Sequence, residues 1–130
     1  MSASTDMRTS RAKVRGLGSA KAGTEHFVAQ RVSAIGLVLL TPFFIIPFAS
    51  ALGKPWEEVI SIYKSPMNAI VAAIFLLAVF HHLKLGLQTV IEDYVHSPAI
   101  RTGSLLAVKL VGTFLGFAAA FSVAMIAFSV

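Results

Sequence analysis

Apolar residues fill three long stretches of the chain, and polar residues mark the breaks between them. No charge occurs from about Val32 to Leu52. At about 1.5 Å of rise per residue, roughly twenty helical residues cross a ~30 Å hydrocarbon core. A second stretch, 67–91, opens without a charge through Ile74-Phe75-Leu76-Leu77-Ala78-Val79-Phe80. A third covers 103–130, with small residues recurring at Gly112, Gly116, Ala119 and Ala120. The pattern predicts an all-α membrane protein. Three transmembrane helices, at 32–52, 67–91 and 103–130, form one anchor domain over 32–130 behind a basic segment, 1–31.

The breaks carry their own signals. Pro42 and Pro47 fall inside the first span, where each removes a backbone donor and predicts a kink or an early end. Gly53 to Pro66 is a short polar connection, with Trp56 and Tyr63 placed as interfacial anchors. After Glu92-Asp93-Tyr94-Val95-His96-Ser97, Pro98 discourages continuation of the helix. Gly112 and Gly116 stand four apart, the GxxxG spacing that permits close helix approach. Lys109 is placed about a turn and a half inside the third span, from where it can snorkel outward.

Composition changes the solvent. Hydrophobic residues make up 56% of the chain and charged ones 13%, against about 25% charged in soluble domains. The surroundings of this domain are therefore lipid. The formal net charge of +5 is unevenly placed. Residues 1–31 hold Arg8, Arg11, Lys13, Arg15, Lys21 and Arg31 against Asp6 and Glu25. A basic tail can bind nucleic acid, but beside a membrane span its lysines and arginines set topology. The reading is therefore no nucleic-acid partner and a cytoplasmic N-terminus. The 92–102 loop then lies inside and the C-terminus is periplasmic, in a bacterial-type cytoplasmic membrane. Residues 1–24 lack apolar periodicity and are expected to be flexible, with Val14–Ala20 an irregular arm able to lie on a partner. The charged stretch is too long for a signal peptide. With no cysteine, this chain alone can hold neither a disulfide, a Cys-ligated zinc nor an iron–sulfur cluster.

Candidate chemistry sits in the second half of the middle span. Ionisable groups inside a membrane are costly and mark partners or function, and here His81, His82, Lys84 and Gln88 occur together. Neighbouring helix positions diverge by about 100°, so His81 and His82 serve different faces. Gly86 follows His82 by four residues and leaves a flat gap on the same face, continued by Ala78 and Thr89. A neutral imidazole beside such a gap can ligate haem iron, or it can hydrogen-bond a carbonyl of a neighbouring helix. A second histidine ligand would have to come from another polypeptide. At the end of that helix, Tyr94 is a neutral donor beside the carboxylate of Asp93. The pair suits a quinone head group, or it is an interfacial aromatic with a solvated acid. Arg31, at the start of the first span, is expected at the depth of that pair, where it can meet a haem propionate or a lipid phosphate.

The run His82-Leu83-Lys84-Leu85-Gly86-Leu87-Gln88-Thr89-Val90-Ile91-Glu92-Asp93-Tyr94-Val95-His96 resembles the second helix of the smaller hydrophobic membrane-anchor subunit of succinate dehydrogenase, respiratory complex II. The run Gly23-Thr24-Glu25-His26-Phe27-Val28-Ala29-Gln30-Arg31-Val32-Ser33-Ala34-Ile35 resembles that family's approach to its first helix. The resemblance implies that His82 is an axial ligand to haem b, its iron shared with a sister anchor subunit. It implies that Arg31 lies near the haem propionates, and that Tyr94 donates to ubiquinone with Asp93 setting its orientation and protonation. It further implies a flavoprotein subunit that oxidises succinate and an iron–sulfur subunit that passes the electrons on. Alternatives are an anchor of a quinol:fumarate reductase, a structural anchor without cofactor, or a small transporter subunit with Lys84, Gln88 and His82 along a polar path.

Overall fold

The computed structural model describes residues 21–129, and the Val14–Ala20 arm lies outside them. Among these residues four helices follow one another: α1, Lys21–Ala51; α2, Trp56–Tyr63; α3, Pro66–Tyr94; and α4, Pro98–Ala127. Three of them are long and apolar enough to cross a membrane. They pack side by side, with α3 in the middle against both α1 and α4.

The apolar stretches mark the three long helices, but each helix starts before its stretch, while α1 and α4 end just short of theirs, at Ala51 and Ala127. α1 begins at Lys21 instead of near Val32. Glu25, His26, Gln30 and Arg31 dilute the hydropathy there without opposing helix formation. Nor do Pro42 and Pro47 end α1, which continues to Ala51. In lipid, unwinding would leave backbone groups with nothing to bond. α3 and α4 both start on a proline, Pro66 and Pro98, the position whose missing N–H has no helical partner in any case. Lys109 consequently lies about three turns into α4, roughly 17 Å from its start by helical rise.

The connection after α1 holds an element the polarity pattern hid. Leu52-Gly53-Lys54-Pro55 turns the chain, and Gly53 takes φ 73°, a conformation glycine adopts without a Cβ clash. The eight-residue α2 then runs Trp56–Tyr63. Its apolar Trp56, Val59, Ile60 and Tyr63 recur at one-turn spacing. Glu57 and Glu58 sit in its first turn, where negative charge suits the helix dipole. An exposed Lys54–Glu58 pair at 3.1 Å adds little. Asn68 Nδ2 donates to the Ile62 carbonyl at 2.9 Å and ties α2 to the first turn of α3.

Small residues make the interior. The most deeply buried apolar side chains are Ala69 and Ala72 on α3, with Gly116 buried on α4. A Cβ at Gly116 would stand 3.1 Å from the Phe80 Cβ, and one at Gly112 would stand 2.5 Å from Lys84 Cγ. The GxxxG pair is therefore the α3–α4 seam. On the other side, the Phe44 ring of α1 stacks on Phe75 of α3 with centroids 4.1 Å apart. Large side chains such as Val38, Phe114 and Phe121 remain outside. An apolar surface that extensive is sustained only against lipid or partner helices.

Replacing Gly116 by leucine is expected to force α3 and α4 apart, because Phe80 Cβ cannot swing away as a long side chain could. Overpacking costs about 1–3 kcal/mol, so the variant should lower the thermal midpoint of the detergent-purified protein by several degrees. An unchanged midpoint would show that the seam is looser than this contact.

Candidate functional site

The two adjacent histidines part company, as helical geometry requires. His82 turns toward α1, where its Nδ1 lies 2.9 Å from Ser33 Oγ. His81 is exposed and lines a cleft of about 480 Å³ between α3 and α4, together with Lys84, Gln88, Thr102 and Lys109. Of the two, His82 alone is tethered to another helix through its ring among the described residues.

Ser33 was not singled out by sequence, yet it is the polar group of α1 that meets His82. Its hydroxyl also donates to its own helix at the Gln30 carbonyl, 2.9 Å away. Gln30, one turn earlier, comes beside Gly86: a Cβ on that glycine would meet Gln30 Nε2 at 3.9 Å, an ordinary contact. Gln30 therefore lies over the face of Gly86 at van der Waals distance, with room for a methyl group between them. A further turn back, His26 Nε2 is buried and has no hydrogen-bond partner among the described residues. His26, Gln30 and Ser33 recur at helical spacing. That polar stripe in an otherwise apolar helix was the signal available in the sequence.

The Ser33–His82 contact fixes the register of α1 against α3. Arg31 precedes Ser33 by two residues, so it lies about 3 Å from the His82 level by helical rise. Tyr94 is twelve residues beyond His82, about 18 Å along the helix. Arg31 is therefore at the depth of the histidine, not of the Asp93–Tyr94 pair. The early start of α1 is what moves it. Its guanidinium lies over the Phe27 ring, 5.1 Å from the centroid, an arrangement that stabilises a cation. The residue is exposed and has no ion-pair partner among the described residues.

Asp93 and Tyr94 end α3, both exposed, Tyr94 at 76%. At about 100° per residue, Asp93 returns to the face of His82, Gly86 and Thr89, whereas Tyr94 is turned a further 100° away. Neither side chain has a hydrogen-bond partner among the described residues. Lys84 and Gln88 do have partners. Lys84 Nζ donates to Thr113 Oγ1 at 2.8 Å, and Gln88 Nε2 to Glu92 Oε1 at 2.8 Å. Both also line the cleft between α3 and α4, whereas His82 faces α1, so the three polar groups do not share one path.

Three apolar helices with little interior of their own, and one imidazole held at its ring within the middle helix, define a multi-pass membrane-anchor subunit. A profile of the succinate dehydrogenase/fumarate reductase transmembrane subunits matches residues 5–125, and the chain belongs to that family. It is 38% identical to the succinate dehydrogenase hydrophobic membrane anchor subunit of Paracoccus denitrificans over 86 residues, 66% of this chain and 67% of that one. It is 34% identical to the subunit of the same name from Rickettsia bellii over 105 residues, 81% of this chain and 84% of that one. A succinate dehydrogenase membrane anchor subunit of Reclinomonas americana is 24% identical over 94 residues. No solved structure matches the chain. The chain is thus of the hydrophobic-anchor type, a membrane part of the enzyme and not its catalytic core.

Proposed function

We propose that this chain anchors a succinate:ubiquinone oxidoreductase, supplies one axial ligand to a haem b, and forms part of the ubiquinone site. The observation that carries the reading is the His82 imidazole, held at Nδ1 by Ser33 on a membrane-length helix, one turn from Gly86, where the nearest side chain is the flexible Gln30. The second ring nitrogen, Nε2, makes no hydrogen bond among the described residues and is the atom that would take the iron. When bound, haem b supplies a one-electron carrier inside the membrane. A single imidazole leaves a second ligand to be found, which a sister anchor subunit would provide. Iron–sulfur and flavoprotein subunits complete the complex.

The chain's residues divide the work by depth. Arg31, at the level of His82, offers a fixed positive charge to a propionate carboxylate. Tyr94, at the end of α3, donates its hydroxyl proton in a hydrogen bond to a quinone carbonyl. The neighbouring Asp93 carboxylate orients water or the phenol at that site and can hand on a proton. Reduction of the quinone takes two electrons and two protons, so a site at the membrane surface is where both can arrive.

Purification through a tag on this chain tests the whole assignment. The expected preparation contains three further subunits, is red, and reduces ubiquinone with succinate. A colourless preparation lacking a flavoprotein would overturn it. The orientation is tested separately, and the absence of native cysteine makes this direct. A cysteine placed at Ser97 should react with a membrane-impermeant maleimide only in inside-out vesicles, and one placed at Ser61 only in right-side-out cells. The opposite pattern would put the N-terminus outside.

A further inference from the structure

We propose that Ser33 is a positioning residue for His82: its hydroxyl fixes the imidazole as the Nδ1–H tautomer and so leaves the Nε2 lone pair for iron. The inference rests on the haem-ligand reading above. It concerns a residue of a different helix, 49 positions away in sequence.

The argument is one of counting protons. A serine hydroxyl has one proton to give and two lone pairs to receive. Ser33 Oγ lies 2.9 Å from the Gln30 carbonyl and 2.9 Å from His82 Nδ1. A carbonyl oxygen can only accept. Oγ therefore gives its proton to Gln30, the usual back-bond of a helical serine, and must receive one from Nδ1. The neutral ring then carries its proton on Nδ1 and none on Nε2. Were the hydroxyl to point the other way, into Nδ1, the neutral ring's proton would sit on Nε2 and block the metal-binding position.

The same bond has an electronic consequence. An acceptor on the distal ring N–H fixes the ring's orientation and raises the basicity of the ligating nitrogen. A more basic imidazole favours ferric over ferrous iron. Ser33 therefore acts on haem retention and on its reduction potential without touching the haem. The bond joins α1 to α3, so it also holds the ring's direction relative to Gly86 by a contact that crosses two helices.

The test compares Ser33→Ala, Ser33→Thr and His82→Ala in the complete purified complex. Haem per flavin, the low-spin ferric EPR signal and the potentiometric midpoint are measured. Ser33→Ala should weaken haem retention about tenfold, the lower end for loss of a ligand's outer partner. The haem that remains should shift three- to tenfold in favour of the ferrous form, the upper figure being about 59 mV for one electron. Ser33→Thr keeps an oxygen that can back-bond in a helix and should restore both. Potential and EPR are read per haem on whatever loaded complex is recovered, so a lower yield leaves the comparison intact. Wild-type haem content, potential and EPR in Ser33→Ala, with haem lost in His82→Ala, would overturn the role of Ser33 and leave the ligand standing. Wild-type haem in His82→Ala would remove the ligand assignment, and Ser33's role with it.

Discussion

Substituting alanine for His82 should leave the purified complex without its haem absorption bands. Loss of a ligand's outer partner alone costs about 10–100-fold in metal affinity, so loss of the ligand should cost at least about 100-fold. The reduced-minus-oxidised spectrum reads this directly, and haem per flavin puts a number on it. His81→Ala is the natural control. Its ring lines the separate cleft between α3 and α4, so the haem bands should persist. If the two variants behaved in reverse, the ligand would be His81 and the cleft with Lys84 and Lys109 would be the haem site. The folded chain should survive the His82 change, since the ring is only half-buried and its one bond is to a serine hydroxyl.

Conversion of Tyr94 to phenylalanine should separate the two half-reactions of the complex. The ring and its place at the end of α3 remain, and only a hydroxyl is lost. A hydrogen bond to a neutral acceptor contributes about 0.5–1.5 kcal/mol, and 1.36 kcal/mol is about tenfold in rate. Ubiquinone reduction should therefore slow by up to about tenfold in kcat/KM. Succinate oxidation with a soluble artificial acceptor should continue at the wild-type rate, because that route bypasses the membrane site. Equal loss of both activities would show that Tyr94 supports assembly instead. Asp93→Asn, which shares the His82 face of the helix, should slow quinone turnover as well while leaving the artificial-acceptor rate unchanged.

Most of the architecture was legible as charge avoidance. A stretch that must lie in hydrocarbon cannot carry unpaired charge, and so Val32–Leu52 and the opening of α3 announced themselves. Boundaries were less legible because a helix does not stop where hydropathy does. Lys21 to Arg31 is polar enough to look like a tail, yet it continues α1 by hydrogen bonds that depend little on side-chain polarity. The early start shifts Arg31, which the structure puts at the depth of the histidine. α2 was missed because Lys54, Glu57, Glu58 and Lys64 masked the one-turn recurrence of Trp56, Val59, Ile60 and Tyr63. The glycine seam was half legible: the GxxxG spacing is in the chain, but that Phe80 and Lys84 are what it receives is not.

By itself the sequence determined the solvent, the number of long helices, and the residue types on offer for chemistry. These follow from local rules: the energy of placing charge in lipid and the periodicity of a helix. Which histidine is tethered, by what, and at what depth was decided only by tertiary structure. Ser33 and His82 meet because α1 and α3 pack in one antiparallel register. A register is set by side chains fitting together over their whole shared length, which no local stretch of residues encodes.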